Sequence, residues 1–140
     1  LKCFSEHGAI YIAGIVKKPT APSRIIEAIV HNYLDRKKLD VVTVRTQNDR
    51  VAEIMANTCL RVVAMDEQAS SEHLNLLQNI GLLTPDQEVD ERNLILKGYF
   101  GGPMITEGGR RRSYKERVTR FTDKLNYFDG DAMLLVGYRK

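Results

Sequence analysis

The chain has no tryptophan and only two cysteines among its 140 residues. Cys3 and Cys59 do not make the multiple-cysteine framework that cross-links small secreted domains, which favours free thiols in a reducing, intracellular compartment. No segment reaches the roughly 18 to 20 consecutive apolar residues that a membrane-spanning helix needs. The sequence therefore predicts an intracellular protein without a membrane partner. Its compartment stays open, because a chain that begins at Leu1 and not at Met gives no argument about targeting.

Motifs of catalysis and of cofactor binding are missing as well. Cys3 and His7 have a metal-like spacing, but no second pair of ligands follows at a suitable distance, so zinc is not predicted. The glycine-rich stretch 99–103 lacks the Gly-Lys-Ser/Thr ending of a phosphate-binding P-loop. The sequence thus predicts no cofactor, no metal and no catalytic residue, and it favours a protein that is not an enzyme.

The charge that is present is unevenly distributed. With 43% apolar and 28% charged residues the composition is that of a globular protein, and the formal net charge is +3. Residues 66–97 are mainly acidic, whereas residues 107–124 carry the bases Arg110, Arg111, Arg112, Lys115, Arg117, Arg120 and Lys124. This polarity predicts one region that attracts phosphate and another that repels it.

Hydrophobic periodicity predicts alternating strands and helices in the first half of the chain. Residues 9–16 and 39–46 are apolar and β-branched, which is typical of buried strands. Between them, residues 25–34 carry apolar side chains along one continuous helical stripe. From Asn48 the helical spacing continues to Met65. Residues 60–63 would pass for a strand in isolation, but because the period is unbroken and no turn residue interrupts it, we expect a single helix over that length.

The second half of the chain continues this alternation. The serine pair 70–71 can cap a short helix, which Gly81 ends. Residues 93–100 predict a third strand, residues 113–127 a helix, and residues 132–138 a closing strand. The expected fold class is therefore α/β.

The predicted domain organisation is simple. We expect a single domain over residues 1–140, with an irregular lead-in at residues 1–8. Residues 100–113 combine two glycine pairs with an arginine cluster and predict a flexible loop.

The stretch 9–65 resembles the Alba superfamily, the small α/β proteins that bind DNA and RNA. The likeness lies in a buried strand that runs into Lys17-Lys18-Pro19, an amphipathic helix, and a β-branched strand followed by a polar turn. It implies a β-α-β-α-β-β core, here with additional helices after residue 70 and near 114–127. It also implies that the basic segment 108–112 takes the place of the family's hairpin arm, which reaches along nucleic acid.

Basic residues are the candidate binding residues. Lys17 and Lys18 lie where a strand passes into a helix, beside backbone N–H groups that favour a phosphate, although two solvated lysines explain the turn equally well. An arginine cluster next to a glycine pair can follow a phosphodiester backbone and offer paired donors to it. The phosphate contacts predicted from these arguments and from the resemblance are Lys17, Lys18, Arg45, Arg50, Arg110, Arg111, Arg112 and Lys115.

Two aromatic residues favour single strands over duplexes. Tyr114 and Phe121 lie near the arginine cluster and could stack on unpaired bases, although Phe121 also fits a core position. The leading prediction is therefore a non-catalytic nucleic-acid-binding protein whose partner is RNA or DNA, with RNA favoured, acting within a ribonucleoprotein. The alternative is an accessory structural subunit of a large assembly that binds mainly protein. A homodimer or a heterodimer is compatible with either function.

Overall fold

The computed structural model describes residues 2–6, 8–14, 24–104 and 112–139. The strands are β1 (Lys2–Glu6), β2 (Ala9–Gly14), β3 (Val41–Thr46), β4 (Arg61–Val62), β5 (Val89–Asp90), β6 (Ile95–Leu96) and β7 (Ala132–Tyr138). The helices are α1 (Arg24–Lys37), α2 (Asp49–Thr58), α3 (Ser71–Asn79) and α4 (Glu116–Thr122). The predicted α/β class is confirmed.

Within these described ranges, one mixed sheet of seven strands organises the molecule, in the order β1-β2-β3-β7-β6-β5, with β4 also paired to β7. β2 and β3 are parallel, as expected for two strands joined by a helical crossover, here α1. β7 runs antiparallel to β3 over the whole length of β3, from Val41 opposite Tyr138 to Thr46 opposite Met133. The last strand of the chain therefore lies at the centre of the sheet.

The alternation of side chains along the strands builds two cores, one on each face of the sheet. The helices α1, α2 and α4 cover the first face, whose buried strand residues include Ile10, Ile12, Val42, Val44, Met133 and Leu135. Leu77 of α3 and leucines of the following loop cover the second face, whose buried strand residues include Leu96, Ala132, Leu134 and Val136. Because β7 is buried on both faces, its sequence is an unbroken apolar run.

The prediction of a single helix from Asn48 to Met65 is wrong. α2 ends at Thr58, and the chain then turns to form β4 along β7. The backbone N–H of Leu60 donates to the carbonyl of Tyr138 at 3.0 Å, and that of Val63 donates to Val136 at 2.8 Å. An edge of β7 thus provides backbone partners for residues 60–63. This pairing overrides the helical period of the local sequence.

Three other boundaries also differ from the prediction. The expected irregular lead-in contains the strand β1, which pairs antiparallel with β2. The strand predicted over residues 93–100 is reduced to Ile95–Leu96, and the helix predicted over residues 113–127 is reduced to Glu116–Thr122. The sequence correctly predicts five elements, namely β2, α1, β3, α3 with its cap at Ser70, and β7.

Candidate nucleic-acid interface

The structure describes four of the eight predicted phosphate-binding residues. Arg45, Arg50, Arg112 and Lys115 belong to its described part. The other four, Lys17, Lys18, Arg110 and Arg111, lie outside the described residues.

Arg45 lies apart from the other described bases. It is on β3 next to Val44, which packs beneath the helices, so alternation directs Arg45 to the opposite face of the sheet. There its guanidinium carbon lies 4.3 Å from the centroid of the Tyr99 ring, a cation–π contact. Arg50 is in the first turn of α2, on the face of the sheet that α1, α2 and α4 cover. The structure therefore does not bring Arg45 and Arg50 together on one surface.

Arg50 and Arg112 do share a surface. A cleft of about 560 Å³ is lined by Arg50, Glu53, Arg112, Ser113 and Tyr114, and we call it the Arg50–Tyr114 cleft. Asn48 fixes its α2 side, because the Asn48 side chain accepts a hydrogen bond from the Arg50 backbone N–H at 2.9 Å. Both arginine side chains keep 41% of their surface exposed.

Carboxylates partly balance the charge of these two arginines. Arg50 pairs with Glu53 of its own helix at 3.6 Å. Arg112 Nε lies 3.5 Å from Oδ2 of Asp49, whose side chain is buried. A terminal guanidinium nitrogen of Arg112 pairs with the exposed Asp123. A buried carboxylate needs a compensating charge, so Arg112 helps to hold the fold as well as lining the cleft.

The residues on either side of Tyr114 are anchored to the protein. The buried Ser113 hydroxyl accepts from the Lys115 backbone N–H at 3.1 Å. The Lys115 ammonium donates to the Asn57 side-chain oxygen, and the Asn57 amide donates in turn to Glu27 of α1 at 3.0 Å. Tyr114 itself is fully exposed at the rim of the cleft. Lys115 is thus an anchoring residue at this position, and its neighbour presents a free aromatic ring.

Arg117 is a basic residue whose role the sequence did not reveal. Its guanidinium donates to both carboxylate oxygens of Asp66, at 2.7 and 2.5 Å, and to the carbonyl of Ala56 at 3.1 Å. Partial burial by itself would raise the pKa of Asp66, but hydrogen bonds from Arg117 and from the Val62 N–H outweigh it and hold that pKa below its usual range. This pair joins the basic stretch to the acidic one, so part of the predicted polarity is neutralised inside the fold.

A buried polar cluster adjoins the carboxyl end of β3, and we call it the Gln47–Asp131 junction. The Gln47 amide donates to the carbonyls of Tyr127 and Asp131 at 3.3 and 3.2 Å, and its side-chain oxygen accepts from the Met104 N–H at 2.8 Å. The fully buried carboxylate of Asp131 accepts from the Lys97 ammonium at 2.8 Å. Residues 100–104 of the predicted flexible loop are held by this junction, and residues 105–111 lie outside the described residues.

The junction also fixes the protonation of its carboxylate. Burial would raise the pKa of Asp131, but hydrogen bonds from Lys97, from the Gly98 N–H and from the Asn126 N–H outweigh it and lower that pKa. All of the donors come from segments distant in sequence or from the turn that precedes β7. The carboxylate therefore stays ionised and holds these segments together at neutral pH.

Several other side chains have structural roles. Phe121 is buried in the first core, so its core alternative is correct and it cannot stack on a base. Cys59 is a free, buried thiol, and burial raises its pKa to about 12. Within the described ranges, no helix has the length and apolar character to cross a membrane. Among the same residues, no group of three or more His, Cys, Asp or Glu side chains could hold a metal ion.

Comparison of the chain with protein-family models, with curated proteins and with solved structures gives no significant match in any of the three.

Proposed function

We propose that the protein is a non-catalytic nucleic-acid-binding module with an Alba-like core and that RNA is its preferred partner. The observation that carries the proposal is the Arg50–Tyr114 cleft, where two half-exposed guanidinium groups lie beside an exposed aromatic ring. Guanidinium groups suit phosphate oxygens, and an exposed ring suits a base. The order β2-α1-β3-α2-β6-β7 is consistent with a β-α-β-α-β-β core to which other elements are added.

The proposal includes contacts beyond the cleft. Lys17, Lys18, Arg110 and Arg111 are retained as phosphate contacts on the sequence argument, since they lie outside the described residues. Arg112 belongs to the proposed surface as well, but its contact with Asp49 gives it a second role in the fold. Lys115 contributes mainly by anchoring the segment that carries Tyr114.

A titration of labelled single-stranded and double-stranded RNA and DNA at low salt tests this function. We expect measurable affinity, highest for RNA, that weakens as salt rises because phosphate contacts release counterions. A variant with Lys17, Lys18, Arg110 and Arg111 replaced by Ala should bind more weakly and lose about 0.7 to 0.9 from the salt slope for each phosphate contact removed. Absence of affinity for all four nucleic acids would refute the proposed function.

The second candidate is an accessory subunit that binds mainly protein. Two observations favour it: Arg112, Lys115 and Arg117 are engaged within the chain, and Ile25 and Ile29 of α1 are 46% and 43% exposed. In a monomer, exposed isoleucines on consecutive helical turns are unfavourable unless they belong to an interface.

One set of substitutions separates the two candidates. In the quadruple Ala variant of residues 17, 18, 110 and 111, Arg112 is kept so that Asp49 retains its partner. If the protein acts through RNA, the variant loses RNA affinity and its incorporation into an RNA-dependent assembly. If it acts through protein contacts, incorporation persists after nuclease treatment and in the variant.

A further inference from the structure

We infer that Tyr114 is a base-stacking residue and that the Arg50–Tyr114 cleft takes one unpaired nucleotide of a single-stranded nucleic acid. This inference rests on the proposed function and adds the class of substrate that the cleft selects. The base would lie on the Tyr114 ring, and its phosphate would face Arg50 and Arg112, which also line the cleft.

The position of Tyr114 supports the inference. Its side chain is fully exposed, whereas Ser113 before it is buried and the Lys115 ammonium after it is bonded to Asn57. The backbone is therefore held on both sides of a fully exposed ring. Because the backbone is already fixed, stacking has to order only the side-chain torsions of Tyr114, which keeps the entropy cost of binding low.

The electrostatics of the cleft also favour one nucleotide over a long phosphate track. Glu53 and Asp49 balance much of the charge of Arg50 and Arg112, so the cleft attracts phosphate only weakly. Under these conditions stacking on Tyr114 supplies most of the selectivity. In a duplex the bases are already stacked on one another and their faces are not accessible, so the cleft selects unpaired bases.

Fluorescence anisotropy with two labelled probes tests this inference on the full chain. The probes are an unstructured oligouridine and an RNA duplex of the same length. We expect wild type to prefer the oligouridine. Tyr114→Ala should weaken oligouridine binding about tenfold, the range found for loss of one stacked base, and leave duplex binding unchanged. Tyr114→Phe keeps the ring and should bind like wild type.

Phe128→Ala is the matched control. Phe128 is also an exposed aromatic, at 68%, but it does not line the cleft, and its replacement should change neither affinity. Equal oligouridine binding by wild type and Tyr114→Ala would overturn the stacking role while leaving the proposed function intact. An equal loss in Phe128→Ala would also overturn it, because binding would then depend on exposed aromatics in general. Failure of wild type to bind either probe would instead overturn the RNA preference in the proposed function, and failure with the two DNA probes as well would overturn that function itself.

Discussion

The Gln47–Asp131 junction and the Arg50–Tyr114 cleft each contain a partly exposed cation beside a buried carboxylate, but the number and the length of the contacts differ. In the junction, the carboxylate of Asp131 is fully buried and accepts hydrogen bonds from one ammonium and two backbone N–H groups. In the cleft, Arg50 and Arg112 meet their carboxylates at 3.6 and 3.5 Å and keep 41% of their side-chain surface exposed. The first arrangement is complete without a ligand, whereas the second leaves charged surface accessible to one.

This difference decides what each region can do. A buried charge is expensive to leave without partners, so every group in the junction is committed to the fold. A partly exposed ion pair such as Arg50–Glu53 contributes little to stability, so its loss or its exchange for a phosphate costs little, whereas Arg112 also pairs with the buried Asp49. Substitutions in the junction should therefore affect mainly stability, and substitutions in the cleft mainly binding.

The largest effect is expected for Gly130→Ala. Gly130 has φ +80, and a Cβ there would lie 2.7 Å from the Gly102 carbonyl oxygen and 2.8 Å from the Gly101 nitrogen. Backbone would have to move, and we expect a loss of about 3 kcal/mol or more in the free energy of unfolding. Urea denaturation of the purified variant measures it.

Gly81→Ala is the control for this substitution. Gly81 has nearly the same φ, +79, but a Cβ there would meet nothing within 4 Å. It should cost only the left-handed backbone penalty, about 1 to 2 kcal/mol. Equal losses in the two variants would contradict the close contact between the turn before β7 and the loop after β6.

The next largest effect is expected for Asp131→Asn. The substitution keeps the shape of the side chain but removes its charge and replaces one accepting oxygen with an NH2 group, so that at least one of the three donors, Lys97 or a backbone N–H, loses its acceptor. We expect a loss of about 2 to 3 kcal/mol in the free energy of unfolding, measured with urea. Asp123→Asn, at an exposed carboxylate, should cost less than about 1 kcal/mol. Similar losses at the two positions would refute the contrast between junction and cleft.

Acid should lower the free energy of unfolding, as Asp131→Asn does, because it also removes the charge of Asp131. The pKa of Asp131 in the folded protein is lower than the ordinary value of 3.8 in the unfolded chain. Its stabilisation is therefore fully present above pH of about 4 to 5 and is lost as the pH falls through the lower folded pKa. Urea unfolding at a series of pH values should show a smaller acid loss in Asp131→Asn than in wild type. An unchanged pH dependence would mean that Asp131 is not ionised in the fold.

The smallest effects on stability are expected in the cleft. Arg112→Ala removes a cation from the buried Asp49 and should cost about 1 kcal/mol. Arg50→Ala removes the ion pair with Glu53 of the same helix and should cost less than about 0.5 kcal/mol. Thermal denaturation compares the two variants, which start from equally exposed side chains. A larger loss for Arg50→Ala would contradict the structural role given to Arg112.

Strong periodicity in the sequence predicts much of this fold. The strands at residues 9–14, 41–46 and 132–138 and the helices α1 and α3 follow from buried apolar runs, helical stripes and caps. Local pattern leaves β4 undecided, because residues 60–63 fit a strand as well as the helical period, and Arg61 and Val62 become a strand through pairing with Tyr138 and Gly137 at the other end of the chain. Local pattern contains no information about that partner.

The Arg50–Tyr114 cleft was predictable only in part, because the local sequence does not show which distant residues become partners. The sequence identified Arg50, Arg112 and Tyr114 as candidates, but it did not reveal that the first two are paired with carboxylates. The junction could not be found at all, since Gln47 bonds a carbonyl 84 residues away. A buried glutamine has no sequence signal until the fold supplies its partners.

The most direct test of the account is a map of backbone amide shifts by NMR as oligouridine is added to the isotopically labelled protein. We expect the largest shifts at Arg50, Glu53 and the segment 112–115, where the cleft lies. The core of the Gln47–Asp131 junction and the exposed face of α1 should remain unchanged. Shifts confined to α1, or no shifts at saturating oligouridine, would contradict a nucleic-acid interface at this cleft.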